Sequence, residues 1–183
     1  MEKINNFKIT KNIYDAEEYL KTGKPAVIKT ETLYGVLADA LNRSAVEYVY
    51  KIKGRNPQKP FIILIPNIEM LEKFNIKASD LEKKLLNYKG LSVILEAPDN
   101  NLEYLHRRTK TLAFRIPKKD NLIKLMEKLN LPLIAPSANP EGLPPAKNIQ
   151  EAIEYFGNKI PIYVDEGEIK EDKPSTIVKL SKR

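Results

Sequence analysis

The sequence predicts an α/β protein, a single domain over residues 1–183 built on a sheet of about seven strands flanked by helices. Three observations carry this. Short apolar runs of strand length alternate with amphipathic stretches of helical period. No linker rich in Gly, Ser or Pro divides the chain, and no internal repeat is visible. The 183 residues, 42% of them hydrophobic, suffice for one sizeable core without disulfides or metal staples.

Taken in order, Tyr14–Thr22 reads as a helix, with Ile13, Ala16 and Leu20 on one face and Gly23 as its stop. Pro25–Lys29 is a short strand. Ser44-Ala-Val-Glu47 has the spacing of a capping box and opens a helix that Gly54 ends. Phe61–Ile65 is apolar throughout, the pattern of a central strand covered on both faces. A second capping box, Ser79-Asp-Leu-Glu82, opens a helix carrying Leu81, Leu85 and Tyr88. Leu91–Leu95 and Thr111–Ile116 are strands, Leu122, Leu125, Met126 and Leu129 mark a helix, and Leu131–Ala135 is again a strand. Asn148 with Glu151 starts a helix that Gly157 ends. Ile160–Val164 and Ser175–Leu180 complete the set. The four prolines of Pro136–Pro145 fall between a strand and a helix, a common place for ligands in open α/β sheets. The acidic stretch Asp165–Asp172 is expected to be solvated and mobile.

There are no cysteines, so disulfides and Cys-ligated metals are excluded. No apolar h-region follows Met1, and no run approaches the roughly 18 residues of a membrane span. A cytoplasmic protein without membrane contact is expected. The net charge of +7 favours anionic partners, yet 25 of the 31 basic residues are lysines, which also serve as a solubilising surface. The individual arginines are therefore the more informative cations.

Neither GxxxxGK[ST] nor GxGxxG occurs, so a nucleotide would need side-chain cations and hydroxyls rather than a glycine cradle. His106 is the one histidine, which rules out a multi-histidine metal site; beside Arg107 and Arg108 it is expected at the surface. Four segments remain. In Thr30-Glu-Thr-Leu-Tyr-Gly35, an extended chain points both threonines to one side, either to grip a small polar ligand or simply to end a strand before a Gly turn. Lys53-Gly-Arg55 with Lys59-Pro60 is either a phosphate clamp or a basic helix C-terminus. Ser137 and Asn139 in Ala135-Pro-Ser-Ala-Asn139 bind phosphate or ribose, or cap their own turn. Arg115, sharing a strand face with Thr111 and Ala113, needs an anion if it is buried, either a ligand carboxylate or an internal acid.

Together and in this order, these segments resemble the YrdC-like threonylcarbamoyl-AMP synthase family. The matching pieces are Thr30–Gly35, Lys53-Gly-Arg55 with Pro60, Arg115-Ile-Pro117, Ser137-Ala-Asn139 and Pro174-Ser-Thr-Ile-Val178, spanning most of the chain. Each piece is weak alone; the specificity lies in five pieces in sequence. The resemblance implies a twisted mixed sheet with a basic concave cleft. It implies a nucleotidyltransferase that makes threonylcarbamoyl-AMP and pyrophosphate from L-threonine, bicarbonate and ATP with Mg²⁺. A tRNA threonylcarbamoyl-transferase then consumes the product, and double-stranded RNA or tRNA is a further partner. It implies Lys53 and Arg55 as the catalytic cations. Arg55, Lys59, Thr111, Ser137 and Asn139 are the implied ATP contacts, and Thr32, Arg115 and Ser175 the threonine contacts.

The sequence also departs from the family pattern. Lys29 replaces a proline, Tyr88-Lys-Gly-Leu-Ser92 replaces a Trp-Pro-Gly-Pro loop, Glu141 replaces a serine before Gly142, and no Arg-x-Gly follows the last strand. These motivate a rival reading: a divergent paralogue that binds nucleotide or RNA without this activity. A purely RNA-binding module is disfavoured, because Trp is absent and no strand carries paired stacking aromatics.

Overall fold

Alternation within the strands and apolar stripes on the helices produce a sheet covered on both faces. The computed structural model of the chain describes residues 5–170 and 176–181. Its strands are Lys8–Thr10 (β1), Ala26–Lys29 (β2), Tyr34–Asp39 (β3), Ile63–Leu64 (β4), Ser92–Glu96 (β5), Thr111–Arg115 (β6), Leu133–Ile134 (β7), Ile162–Val164 (β8) and Ile177–Lys179 (β9). Its α-helices are Glu17–Lys21 (α1), Arg43–Lys53 (α2), Asp80–Asn87 (α3), Glu103–His106 (α4), Asp120–Leu129 (α5) and Ile149–Phe156 (α6). Among the described residues the nine strands form one mixed sheet in the order β1-β8-β2-β3-β7-β4-β6-β5-β9.

Neighbouring residues of each strand point to opposite faces. Val27, Val36 and Ile63 join one apolar cluster with Val49 of α2, Leu86 of α3 and Ala152 of α6. Ile28, Leu37 and Leu64 join the other with Leu20 of α1 and Leu125 of α5. This explains why Phe61–Ile65 is apolar throughout: β4 lies between β7 and β6, and both its faces are covered.

The sheet has two strands more than the sequence predicts. β1 carries only Lys8-Ile-Thr10, largely exposed at the sheet edge, and offers no apolar pattern to read. β3 was hidden by Gly35, which reads as a turn but lies inside the strand, paired with Ile28 and bridging Ser137. The glycine answers a close approach: a Cβ there would sit 2.8 Å from Leu37 Cδ1 and 3.1 Å from the Pro136 carbonyl oxygen.

Helix boundaries show the same mixture. The Ser79–Glu82 capping box forms, with Glu82 N–H donating to Ser79 Oγ at 3.1 Å and Ser79 N–H to Glu82 Oε1 at 2.9 Å. The Ser44–Glu47 box does not. Asn42 starts α2 instead, accepting from Ala45 N–H at 3.0 Å, which leaves Ser44 already inside the helix. The predicted Tyr14–Thr22 helix begins with a 3₁₀ turn over Ile13–Ala16, although Ile13, Ala16 and Leu20 are buried as expected. On α3 the buried residue is Leu86, whereas Leu81 and Tyr88 are exposed. Among the described residues, no helix is long and apolar enough to cross a membrane.

Gly35→Ala should therefore destabilise the protein by about 1–3 kcal/mol, the scale of an overpacked site. Urea denaturation reads this directly; an unchanged midpoint would mean that β3 and the loop after β7 separate without cost.

Candidate active site

The loop joining β2 to β3, the entry to β4, the end of β6 and the exit of β7 enclose a cavity of about 300 Å³. Of the residues singled out from sequence, Thr32, Arg55, Arg115 and Ser137 all line it. These four lie far apart in the chain, and the sheet order brings them together.

Thr30 and Thr32 do not lie in an extended segment as expected. The chain bends over residues 31–33, and Thr30 closes the bend: its N–H and its hydroxyl both donate to the Leu33 carbonyl, at 2.9 and 3.0 Å. That hydroxyl is engaged within the fold. Glu31, between the two threonines, was missed by the sequence reading. Its Oε1 lies 3.0 Å from Arg115 Nε, and its Oε2 accepts from Lys118 N–H at 3.0 Å. The anion beside buried Arg115 is thus an internal acid, one of the two alternatives its strand position left open. Burial lowers the Arg115 pKa, and the Glu31 charge opposes that shift.

Arg55 follows Gly54, whose left-handed conformation (φ 60°) ends α2 and turns the chain. Its guanidinium lies over the Phe61 ring, 5.4 Å from the centroid, and Nη2 donates to the Pro60 carbonyl at 3.4 Å. Glu141 lies 3.9 Å from Arg55 and 4.0 Å from Lys59. Lys59 is outside the cavity lining and largely exposed.

Lys53 does not face the cavity. It is 2% exposed; its ammonium donates to the Ser137 carbonyl and, at 2.6 Å, to the Asn139 carbonyl. In return Glu141 N–H donates to the Lys53 carbonyl at 2.8 Å. Burial, followed by the repulsion of Arg55, pushes the Lys53 pKa down to about 8, with Glu141 acting the other way. Asn139 is also turned into its own loop. Its amide donates to the carbonyls of Pro140 (3.0 Å) and Leu143 (2.9 Å), and its Oδ1 accepts from Ser137 Oγ at 2.5 Å. Thr111 stands at the other end of β6 from Arg115, roughly 13 Å along the strand, among Glu82, Glu96 and Lys179. Ser175 lies outside the described residues, as does Arg183.

Two further expectations are corrected. His106 is not at the surface but 1% exposed: Nδ1 accepts from Arg108 N–H at 3.1 Å, and Nε2 lies 3.0 Å from the Asp99 carbonyl. The start of the acidic stretch is tied down rather than free. Tyr34 donates to the Gly167 carbonyl at 2.6 Å and accepts from Glu166 N–H at 2.9 Å, while Glu166 pairs with Lys119 at 2.5 Å.

A family model described as telomere recombination and named for Sua5, YciO and YrdC matches residues 18–183. The chain belongs to the Sua5/YciO/YrdC family. A threonylcarbamoyl-AMP synthase of Pyrococcus abyssi is 31% identical over 185 residues, covering 98% of this chain and 53% of the relative. A putative threonylcarbamoyl-AMP synthase of Methanocaldococcus jannaschii is 32% identical over 170 residues, covering 89% of this chain and 79% of the relative. Among solved structures, P. abyssi Sua5 complexed with L-threonine superposes with a TM-score of 0.86 at 29% identity, over 94% of this chain and 54% of that one. Escherichia coli YciO, at 17% identity, shares the fold with a TM-score of 0.81, over 96% of this chain and 91% of that one. The chain spans about half the length of the P. abyssi synthase it matches.

In this family member Lys53 joins α2 to the loop that carries Ser137, and its titration reports that burial. The folded pKa of about 8 lies below the ordinary 10.5, so between these values the unfolded chain binds the extra proton and stability rises with pH. The stability of wild type relative to Lys53→Met should therefore grow by up to about 3 kcal/mol from pH 8 toward pH 10.5. Urea denaturation at about pH 7.5, 9 and 10 measures it; a flat difference would show that the ammonium is not desolvated in the folded state.

Proposed function

We propose that this chain is an L-threonylcarbamoyladenylate synthase, a nucleotidyltransferase acting on L-threonine, bicarbonate and ATP. The observation that carries the reading is that Arg55 and Arg115 line one cavity together with the hydroxyl residues Thr32 and Ser137. Both partners of the coupling step are anionic and repel each other. Two cations on one small cavity offset that repulsion, and no side-chain nucleophile is required.

In the proposed reaction, the threonine amine attacks the carbon of bicarbonate-derived CO₂ and loses a proton to give a carbamate. A carbamate oxygen then attacks the α-phosphorus of ATP. The bond from α-phosphorus to the bridging oxygen breaks, and pyrophosphate leaves with the electron pair. Arg115 pairs with the threonine carboxylate, and Thr32 contacts the same substrate. Arg55 and Lys59 hold the triphosphate, with Ser137 at its side. Lys53 and Asn139 act one step back, fixing the loop that presents Ser137. Among the described residues no group of three His, Cys, Asp or Glu is placed to hold a metal. In the proposed reaction Mg²⁺ enters with the substrate, carried on the phosphates as MgATP. The product is a reactive mixed anhydride, and the proposed consumer is a transferase that passes the threonylcarbamoyl group to an adenosine of tRNA.

Pyrophosphate release should require threonine and bicarbonate together, and Arg55→Ala should lose it while remaining folded. Loss of one charge-assisted phosphate contact costs on the order of 2 kcal/mol in ATP binding. Release with either component left out would remove the carbamate route.

The amino-acid pocket gives the sharper test. If a substrate hydroxyl is hydrogen-bonded, valine should be rejected on the order of 10⁴-fold in kcat/KM. Serine keeps the hydroxyl and lacks one methyl, so it should lose only about 10- to 200-fold. If valine serves as well as serine, threonine is not the substrate.

A further inference from the structure

The two cations assigned to the triphosphate share one internal carboxylate. Glu141 lies 3.9 Å from Arg55 and 4.0 Å from Lys59, and Arg107, Arg108 and Arg115 have their own partners in Glu47, Glu103 and Glu31. Its backbone is fixed by the hydrogen bond from its N–H to the Lys53 carbonyl, on the same buried lysine that anchors the Ser137–Asn139 loop. Its side chain is 38% exposed, so the carboxylate can turn toward solvent or toward an entering ligand.

We propose that Glu141 determines which charge state of the nucleotide the site accepts, favouring the metal-complexed triphosphate over the free one. The reason is electrostatic. A carboxylate within about 4 Å of both cations removes one unit of positive charge from the clamp and repels whatever phosphate replaces it. That repulsion scales with ligand charge: metal-free ATP carries about −4 and MgATP about −2, so the logarithm of the penalty is about twice as large for the free nucleotide. A divalent ion on the phosphates also gives the displaced carboxylate a cation to face. The inference rests on the assignment of Arg55 and Lys59 to the triphosphate.

The test is calorimetric titration of wild type, Glu141→Gln and Glu141→Ser with ATP in excess EDTA and with ATP in excess Mg²⁺. Glu127→Gln, an exposed residue of α5, serves as the control for net charge alone. Both Glu141 variants should bind metal-free ATP about tenfold more tightly and MgATP only about threefold more tightly. The preference for MgATP should thus fall about threefold, while Glu127→Gln leaves it unchanged. Equal tightening for both forms, no tightening, or the same loss of preference in Glu127→Gln would overturn the role of Glu141 while leaving the nucleotide site intact. Failure of wild type and variants alike to bind either form would overturn both the inference and the nucleotide reading beneath it.

Discussion

The site is held together by one buried ammonium. Lys53, at the end of α2, donates to the carbonyls of Ser137 and Asn139 in the loop leaving β7, and its own carbonyl receives Glu141 N–H. Two segments more than eighty residues apart are thereby fixed to each other. Arg55 begins two residues past Lys53, and Ser137 is one of the residues whose carbonyl it grips. A charge with so little water around it is costly, and two carbonyl dipoles offset part of that cost. Deleting the lysine would take the ammonium from both carbonyls at the point where the cavity wall turns, leaving Ser137 the Asn139 N–H at 3.0 Å as a donor.

The same constraint explains the form of the other cations. Arg55 rests on Phe61, which in turn stacks on Tyr50 at 4.0 Å between centroids, so the guanidinium is oriented by packing rather than by a tight ion pair. Arg115 is oriented by Glu31, itself held by Lys118 N–H. Both arginines are therefore constrained before any ligand arrives. Chemistry that depends on bringing two anions together gains most from such preorganisation, because the cost of orienting the cations is already met in folding.

Elements with a strong local pattern were legible in the sequence. The Ser79 capping box, the Asn148 start of α6 and the Gly54 end of α2 rest on interactions within a few residues, and the run at β4 shows its burial in its own unbroken apolar composition. What was not legible depends on distant partners. β1 exists because Pro161–Val164 offers it an edge, and Gly35 reads as a turn until Pro136 is seen against it. His106 looked like a surface residue because its partners, the Asp99 carbonyl and the Arg108 amide, are backbone groups that leave no mark in the sequence. Within the site, residue types in motif order pointed to the cavity wall at Thr32, Arg55, Arg115 and Ser137, but could not separate side chains facing the cavity from those holding it up. Lys53 and Asn139 belong to the second kind. Glu31 carried one available signal, a carboxylate set between two threonines in a chain where Arg115 needed an anion.

That distinction bears on how the site varies among relatives at about 30% identity. Contacts made by backbone carbonyls and amides tolerate changes in the residues that supply them, whereas the lysine that joins them has no equivalent donor nearby. Lys53 is therefore expected to constrain the sequence more tightly than the lysine at position 59, whose ammonium is largely exposed and reaches only one carboxylate at 4.0 Å. The Arg115–Glu31 pair lies between these cases. Each partner is nearly buried, so losing either one leaves the other less compensated, while losing both removes the cation that the proposed reaction needs. Variation is consequently cheapest at the rim, where Glu141 reaches Arg55 and Lys59 only at 3.9 and 4.0 Å and its side chain is partly exposed, so that its charge can change without disturbing the wall behind it.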